Sequence, residues 1–67
     1  MKKLIGKKDG KRVYATYSAG SGSLPELKIG DHFFRGSSLG PANYMVNPSS
    51  EDIEYWIEIA RNRELID

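Results

Sequence analysis

All seven glycines and all three prolines of this chain fall at or before Pro48, and none follows it. Glycine costs about 1 kcal/mol in a helix interior and proline about 3 kcal/mol. A long helix is therefore excluded from the first part, and nothing breaks one in the second. The chain divides into a turn-rich region suited to short strands and a C-terminal region suited to one helix.

Within the first part, Asp9-Gly10 marks a two-residue hairpin turn, because a type I′ turn needs positive φ at both central residues. The arm Lys11–Ser18 alternates, with Val13, Ala15 and Tyr17 on one side and Arg12, Tyr14, Thr16 and Ser18 on the other. The opposite arm offers Leu4 and Ile5 as apolar anchors, so residues 3–18 read as a hairpin. Flanking lysines suit an edge protected against further pairing. Ala19–Ser23 reads as a flexible Gly/Ser connection. Leu27-Lys28-Ile29 reads as a short apolar-polar-apolar strand entry, Gly30-Asp31 as a turn and His32–Arg35 as a third strand. After the loop Arg35–Pro41, Ala42–Val46 is the expected fourth strand.

The second part opens with a helix start. Ser49 is a capping hydroxyl and Asp52, three residues on, makes a weakened capping box, since Glu or Gln is usual there. Glu51, Asp52 and Glu54 suit the positive end of the helix dipole, and Arg61 and Arg63 the negative end. Ile53, Trp56, Ile57 and Ala60 form one apolar stripe at helical spacing. Tyr55, Ile59 and Ile66 widen it, while Glu54, Glu58 and Arg61 turn to water.

Strands followed by one helix predict an α+β domain spanning 1–67, with a β-rich part at 3–46 and a C-terminal helix at 49–65. The β-rich part is expected as a small antiparallel sheet of three to four strands or a partly open barrel. The run Leu27-Lys28-Ile29-Gly30-Asp31, a strand, a glycine loop and another strand resembles parts of Src-homology-3-like barrels. That resemblance covers this stretch alone and implies fold only.

A chain of 67 residues buries only about 60% of its unfolded surface, so self-association is one expected source of support. It has no cysteine, which removes disulfides and thiolate metal sites and leads us to expect a cytoplasmic protein. No apolar run reaches the length of a membrane span. Leu4-Ile5 is too short for the apolar core of a signal peptide, so the N-terminus reads as mature protein and no membrane association is expected.

Chemistry-bearing residues are sparse. His32 is the one histidine, and its neighbour Asp31 projects to the opposite side of a strand. Ser37 and Ser38 are ordinary turn formers. Glu51, Asp52, Glu54 and Glu58 lack the glycine-turned loop of a calcium site. The loops Gly20–Ser23 and Gly36–Ser38 lack the following helix and lysine of a phosphate loop. No enzyme activity, metal or cofactor is expected.

Charge is the remaining signal. Segments 1–17, 18–46 and 47–67 carry +5, 0 and −4, so a formal net charge of +1 hides a polarised molecule. Two binding functions fit it. The first is a small regulatory or inhibitory module that contacts another protein through its polarised surface, with Glu51, Glu54 and Glu58 on the acidic helix as the contact. Accessory proteins of phages and mobile elements offer an analogy of size. The second is a single-stranded nucleic acid binder. There Lys7, Lys8, Lys11 and Arg12 surround the hairpin tip and Tyr14 offers a stacking ring. On sequence the first ranks slightly ahead, because an acidic helix repels a phosphate backbone unless the hairpin projects away from it.

Overall fold

Two tight turns set the sheet. Asp9 (φ 52°) and Gly10 (φ 80°) are both left-handed, as a type I′ turn requires, and join β1 (Lys2–Lys8) to β2 (Lys11–Ser18). Gly30 (φ 60°) opens the second turn, which joins β3 (Glu26–Ile29) to β4 (His32–Arg35). A short 3₁₀ turn, Ser37–Leu39, follows β4, and the helix α1 runs from Ser50 to Asn62. The computed structural model describes residues 1–19, 24–41 and 47–67. The Gly/Ser connection at 20–23 and the expected strand at 42–46 lie outside the described residues.

All pairings are antiparallel and the strand order is β1-β2-β3-β4. The sheet stays open, with β1 and β4 at its edges, so of the two expected forms the chain takes the sheet and not the barrel. Its fourth strand is His32–Arg35, with Glu26–Ile29 a full strand beside it. The fold is a four-stranded antiparallel sheet followed by one helix, an α+β domain.

The alternation along β2 decides which face the helix covers. Ala15 and Tyr17 are buried, as are Leu27 and Ile29 on β3, while Arg12, Thr16 and Ser18 are exposed. Trp56 and Ala60 of α1 meet the buried face, joined by Leu39 of the 3₁₀ turn. Ile53 and Ile57 of the expected stripe pack against this core while half-buried.

A bulge corrects the phase of β1. The register pairs Leu4 with Tyr14 and Gly6 with Val13, leaving Ile5 as the extra residue. Ile5 and Gly6 both turn inward as a result. Leu4, expected as an anchor, is 46% exposed, and Ile5 alone of that pair reaches the core.

The helix starts as its sequence demands. The Asp52 amide donates to Ser49 Oγ at 3.2 Å and the Ser49 amide donates to Asp52 Oδ2 at 2.8 Å, a complete capping box. It stops at Asn62, short of the expected 65, because Glu64 turns left-handed (φ 57°). The Leu65 amide then donates to the Ala60 carbonyl at 2.8 Å and the Glu64 amide to the Arg61 carbonyl at 3.0 Å, the paired bonds of a Schellman motif. This reversal returns the chain to the sheet. Ile66 is buried over Gly6, where an added Cβ would lie 3.1 Å from the Ile66 side chain. The Asp67 amide donates to the Lys7 carbonyl at 2.7 Å.

Two substitutions test this packing by thermal or urea unfolding. Trp56→Ala should destabilise by about 3–5 kcal/mol, comparable to the whole stability of so small a domain. Glu64→Gly should stabilise by roughly 0.5–1 kcal/mol, because glycine takes the left-handed cap without strain.

Candidate nucleic-acid interface

Cross-strand partners share a face of the sheet, so the register states which side chains the helix leaves uncovered. Lys2 pairs with Thr16, Thr16 with Lys28 and Lys28 with Phe33, which makes one row across all four strands. Leu4 and Tyr14 form a second row, Lys7 and Arg12 a third, and Ser18, Glu26 and Arg35 a fourth. The paired rows of the uncovered face therefore carry Lys2, Lys7, Arg12, Lys28 and Arg35 against one acid, Glu26. Two aromatic rings stand among them, half-buried Tyr14 and Phe33, which is 66% exposed.

The cations lie against these rings. Lys2 Nζ sits 4.5 Å from the Tyr14 ring centroid and Lys28 Nζ 5.5 Å from that of Phe33. Both distances fall within cation–π range. An exposed phenylalanine held by a neighbouring ammonium presents a flat apolar surface beside a positive charge. A nucleobase with its phosphate needs that pair of groups.

The pleat splits the basic hairpin tip that the sequence presents as one cluster. Lys7 and Arg12 are on the uncovered face. Lys8 and Lys11 lie on the other side, where they line an open cleft of about 370 Å³ with Val13, Ile29, His32 and Leu65. Lys8 Nζ there faces Asp67 Oδ1 at 3.7 Å. Of the expected nucleic-acid residues, the structure thus brings Lys7, Arg12 and Tyr14 together and turns Lys8 and Lys11 away. Sequence reading missed Lys2, Lys28, Phe33 and Arg35. The signal was present: a two-residue turn at Gly30-Asp31 pairs Leu27 with Phe34 and Lys28 with Phe33. An inward Leu27 then forces Phe33 outward.

Glu51, Glu54 and Glu58 are exposed on the side of α1 away from the sheet, with the core between them and the uncovered face. Glu54 and Glu58 flank a surface cleft with Ile57, Arg61 and Asn62. His32 and the serines Ser37 and Ser38 stand at opposite ends of β4, roughly 13 Å apart along a strand. They form no nucleophile–base pair. Among the described residues no three His, Asp or Glu side chains converge as metal ligands, and no helix is long and apolar enough to cross a membrane.

Tyr17 takes no part in this face. It is buried, stacks on Trp56 with ring centroids 5.2 Å apart, and donates its hydroxyl to the Pro41 carbonyl. Burial raises the phenol above its usual value of 10.0, and the Asp52 carboxylate adds to the rise. Comparison with family models, curated proteins and solved structures finds no match for this chain.

The Tyr17 environment predicts alkaline sensitivity. The folded state holds the phenol proton more tightly than the unfolded chain. Its contribution is complete below the unfolded value near 10 and is lost as pH rises through the higher folded value. Urea unfolding above pH 10 should show stability falling with pH. Tyr17→Phe, which has no proton to lose, should reduce that fall while lowering stability at neutral pH through the lost hydrogen bond.

Proposed function

We propose that this protein binds single-stranded nucleic acid on the uncovered face of its sheet. The observation that carries the reading is the row Lys2, Thr16, Lys28 and Phe33, with Tyr14 beside it, on the face opposite the acidic helix. Cations along such a face track a phosphate backbone, and exposed rings stack bases with little regard to sequence. The repulsion that ranks this reading second on sequence is weakened by the geometry, since Glu51, Glu54 and Glu58 lie behind the core. Protein binding through those three carboxylates stands second. Beside them the helix exposes the Tyr55 ring at 40%, less than the 66% of Phe33 on the sheet face.

The reading involves no catalysis and no cofactor. Lys2, Lys7, Arg12, Lys28 and Arg35 neutralise phosphates, and Tyr14 and Phe33 stack bases. Thr16 and Ser18 place hydroxyls between the cations, where they accept or donate to sugar and base edges.

Fluorescence anisotropy with a labelled single-stranded oligonucleotide over a salt series tests this. Log affinity should fall linearly with log salt by about 0.7 per neutralised phosphate, so changing Lys2, Lys7, Arg12 and Lys28 together to Ser should remove about 3 from the slope. Phe33→Ala should cost about 1–3 kcal/mol and leave the slope unchanged. Glu51, Glu54 and Glu58 changed to Gln should not weaken binding. Absence of binding at low salt would return the acidic helix to first place, and slower association of that triple variant with a basic protein would then support it.

A further inference from the structure

The two edges of the sheet are unlike. β1 is closed to further pairing: it carries Lys2, Lys3, Lys7 and Lys8, is bent by its bulge, and its Lys7 carbonyl already accepts from the Asp67 amide at 2.7 Å. β4 has none of these devices, and no strand of the described residues lies beyond it.

The ladder shows which of its backbone groups are open. Gly36 donates to the Pro25 carbonyl at 3.1 Å, and the same register pairs Phe34 with Leu27 and His32 with Ile29. Bonded pairs alternate along an antiparallel ladder. His32 and Phe34 therefore spend their backbone groups on β3, while Phe33 and Arg35 turn theirs to the open edge.

We propose that β4 pairs with β4 of a second copy of this chain, antiparallel across a two-fold axis at Phe33, to join two open sheets into one. A two-fold perpendicular to the sheet keeps like faces together, so Phe33 meets its own counterpart and the two exchange both backbone hydrogen bonds. The exposed ring then gains an aromatic cross-strand partner. Carried one residue past β4 into its turn, the same register sets Arg35 opposite Asp31 of the other copy, twice. The alternative axis, at Phe34, places Asp31 opposite Ser37 and leaves its charge unmatched. On the helix side, the groove of about 300 Å³ that includes Phe34, Leu39, Tyr55 and Ile59 borders the axis and faces its symmetry mate. Arg63, 5.5 Å from the Phe34 ring, rims it.

The inference goes beyond nucleic-acid binding, and sedimentation of the protein alone tests it. The unaltered chain should pass from monomer to dimer as concentration rises into the millimolar range. Phe33→Pro deletes an N–H that β3 does not use, so it should abolish the dimer with an unchanged circular dichroism spectrum. Asp31→Lys and Arg35→Asp should each be monomeric alone, one facing Arg35 with lysine and the other Asp31 with aspartate. Mixed one to one they restore two opposite-charge pairs and should dimerise. A monomer at every concentration overturns the proposal. So does a dimer indifferent to Phe33→Pro, or a mixture that stays monomeric while both variants keep the native spectrum.

Discussion

The structure depends on the seating of Trp56. Its ring stacks on Tyr17 of the second strand at an interplanar angle of 23°, and its Nε1 donates to the Leu39 carbonyl at 2.6 Å. Three segments are joined there: the sheet, the 3₁₀ turn and the helix. An indole buried without a partner for its N–H would lose much of what its area contributes, so the position of Leu39 is part of the core and not a loop detail. Tyr17 extends the same arrangement through its hydroxyl to Pro41, with Gly40 close against the ring because an added Cβ would lie 3.0 Å from it. Trp56 is the largest fully buried side chain of the described residues, followed by Leu27 and Ile29 of the sheet.

Covering one face of the sheet defines the other. Side chains alternate along a strand, so each inward residue forces its neighbours out, and the exposed set is a consequence of the core. Ala15 and Tyr17 inside place Tyr14, Thr16 and Arg12 outside. Leu27 and Ile29 inside place Lys28 outside, and the tight turn then carries Phe33 to the same side. The bulge at Ile5 keeps Lys7 on that face where an unbroken alternation would have turned it inward. The polarised surface is therefore organised by layers. Lys2, Lys7, Arg12, Lys28 and Arg35 lie on the uncovered side of the sheet, Glu51, Glu54 and Glu58 on the outer side of the helix, and the apolar core separates the two sets.

The C-terminal segment after the helix links these layers at the hairpin end. Glu64 accepts a left-handed backbone that glycine would hold more cheaply. In return Ile66 is buried over Gly6, and the Asp67 carboxylate accepts from the Asp9 amide at 3.2 Å. This segment protects one edge of the sheet, while among the described residues nothing pairs with the other, an asymmetry that local propensity does not contain.

The sequence by itself determined whatever depends on neighbours along the chain. Asp9-Gly10 specified its turn, alternation specified the inward side of β2, and Ser49 with Asp52 specified where the helix begins, because each involves groups within a few residues of one another. Tertiary structure decided the rest. The end of the helix, the burial of Ile66 and the exposure of Leu4 depend on which strand meets which segment far along the chain. So does the candidate site. Lys7, Lys8, Lys11 and Arg12 look like one cluster in the sequence, but a pleated strand sends neighbours to opposite faces. Only the sheet gathers Lys2, Lys28, Phe33 and Arg35, contributed by three different strands, onto one surface.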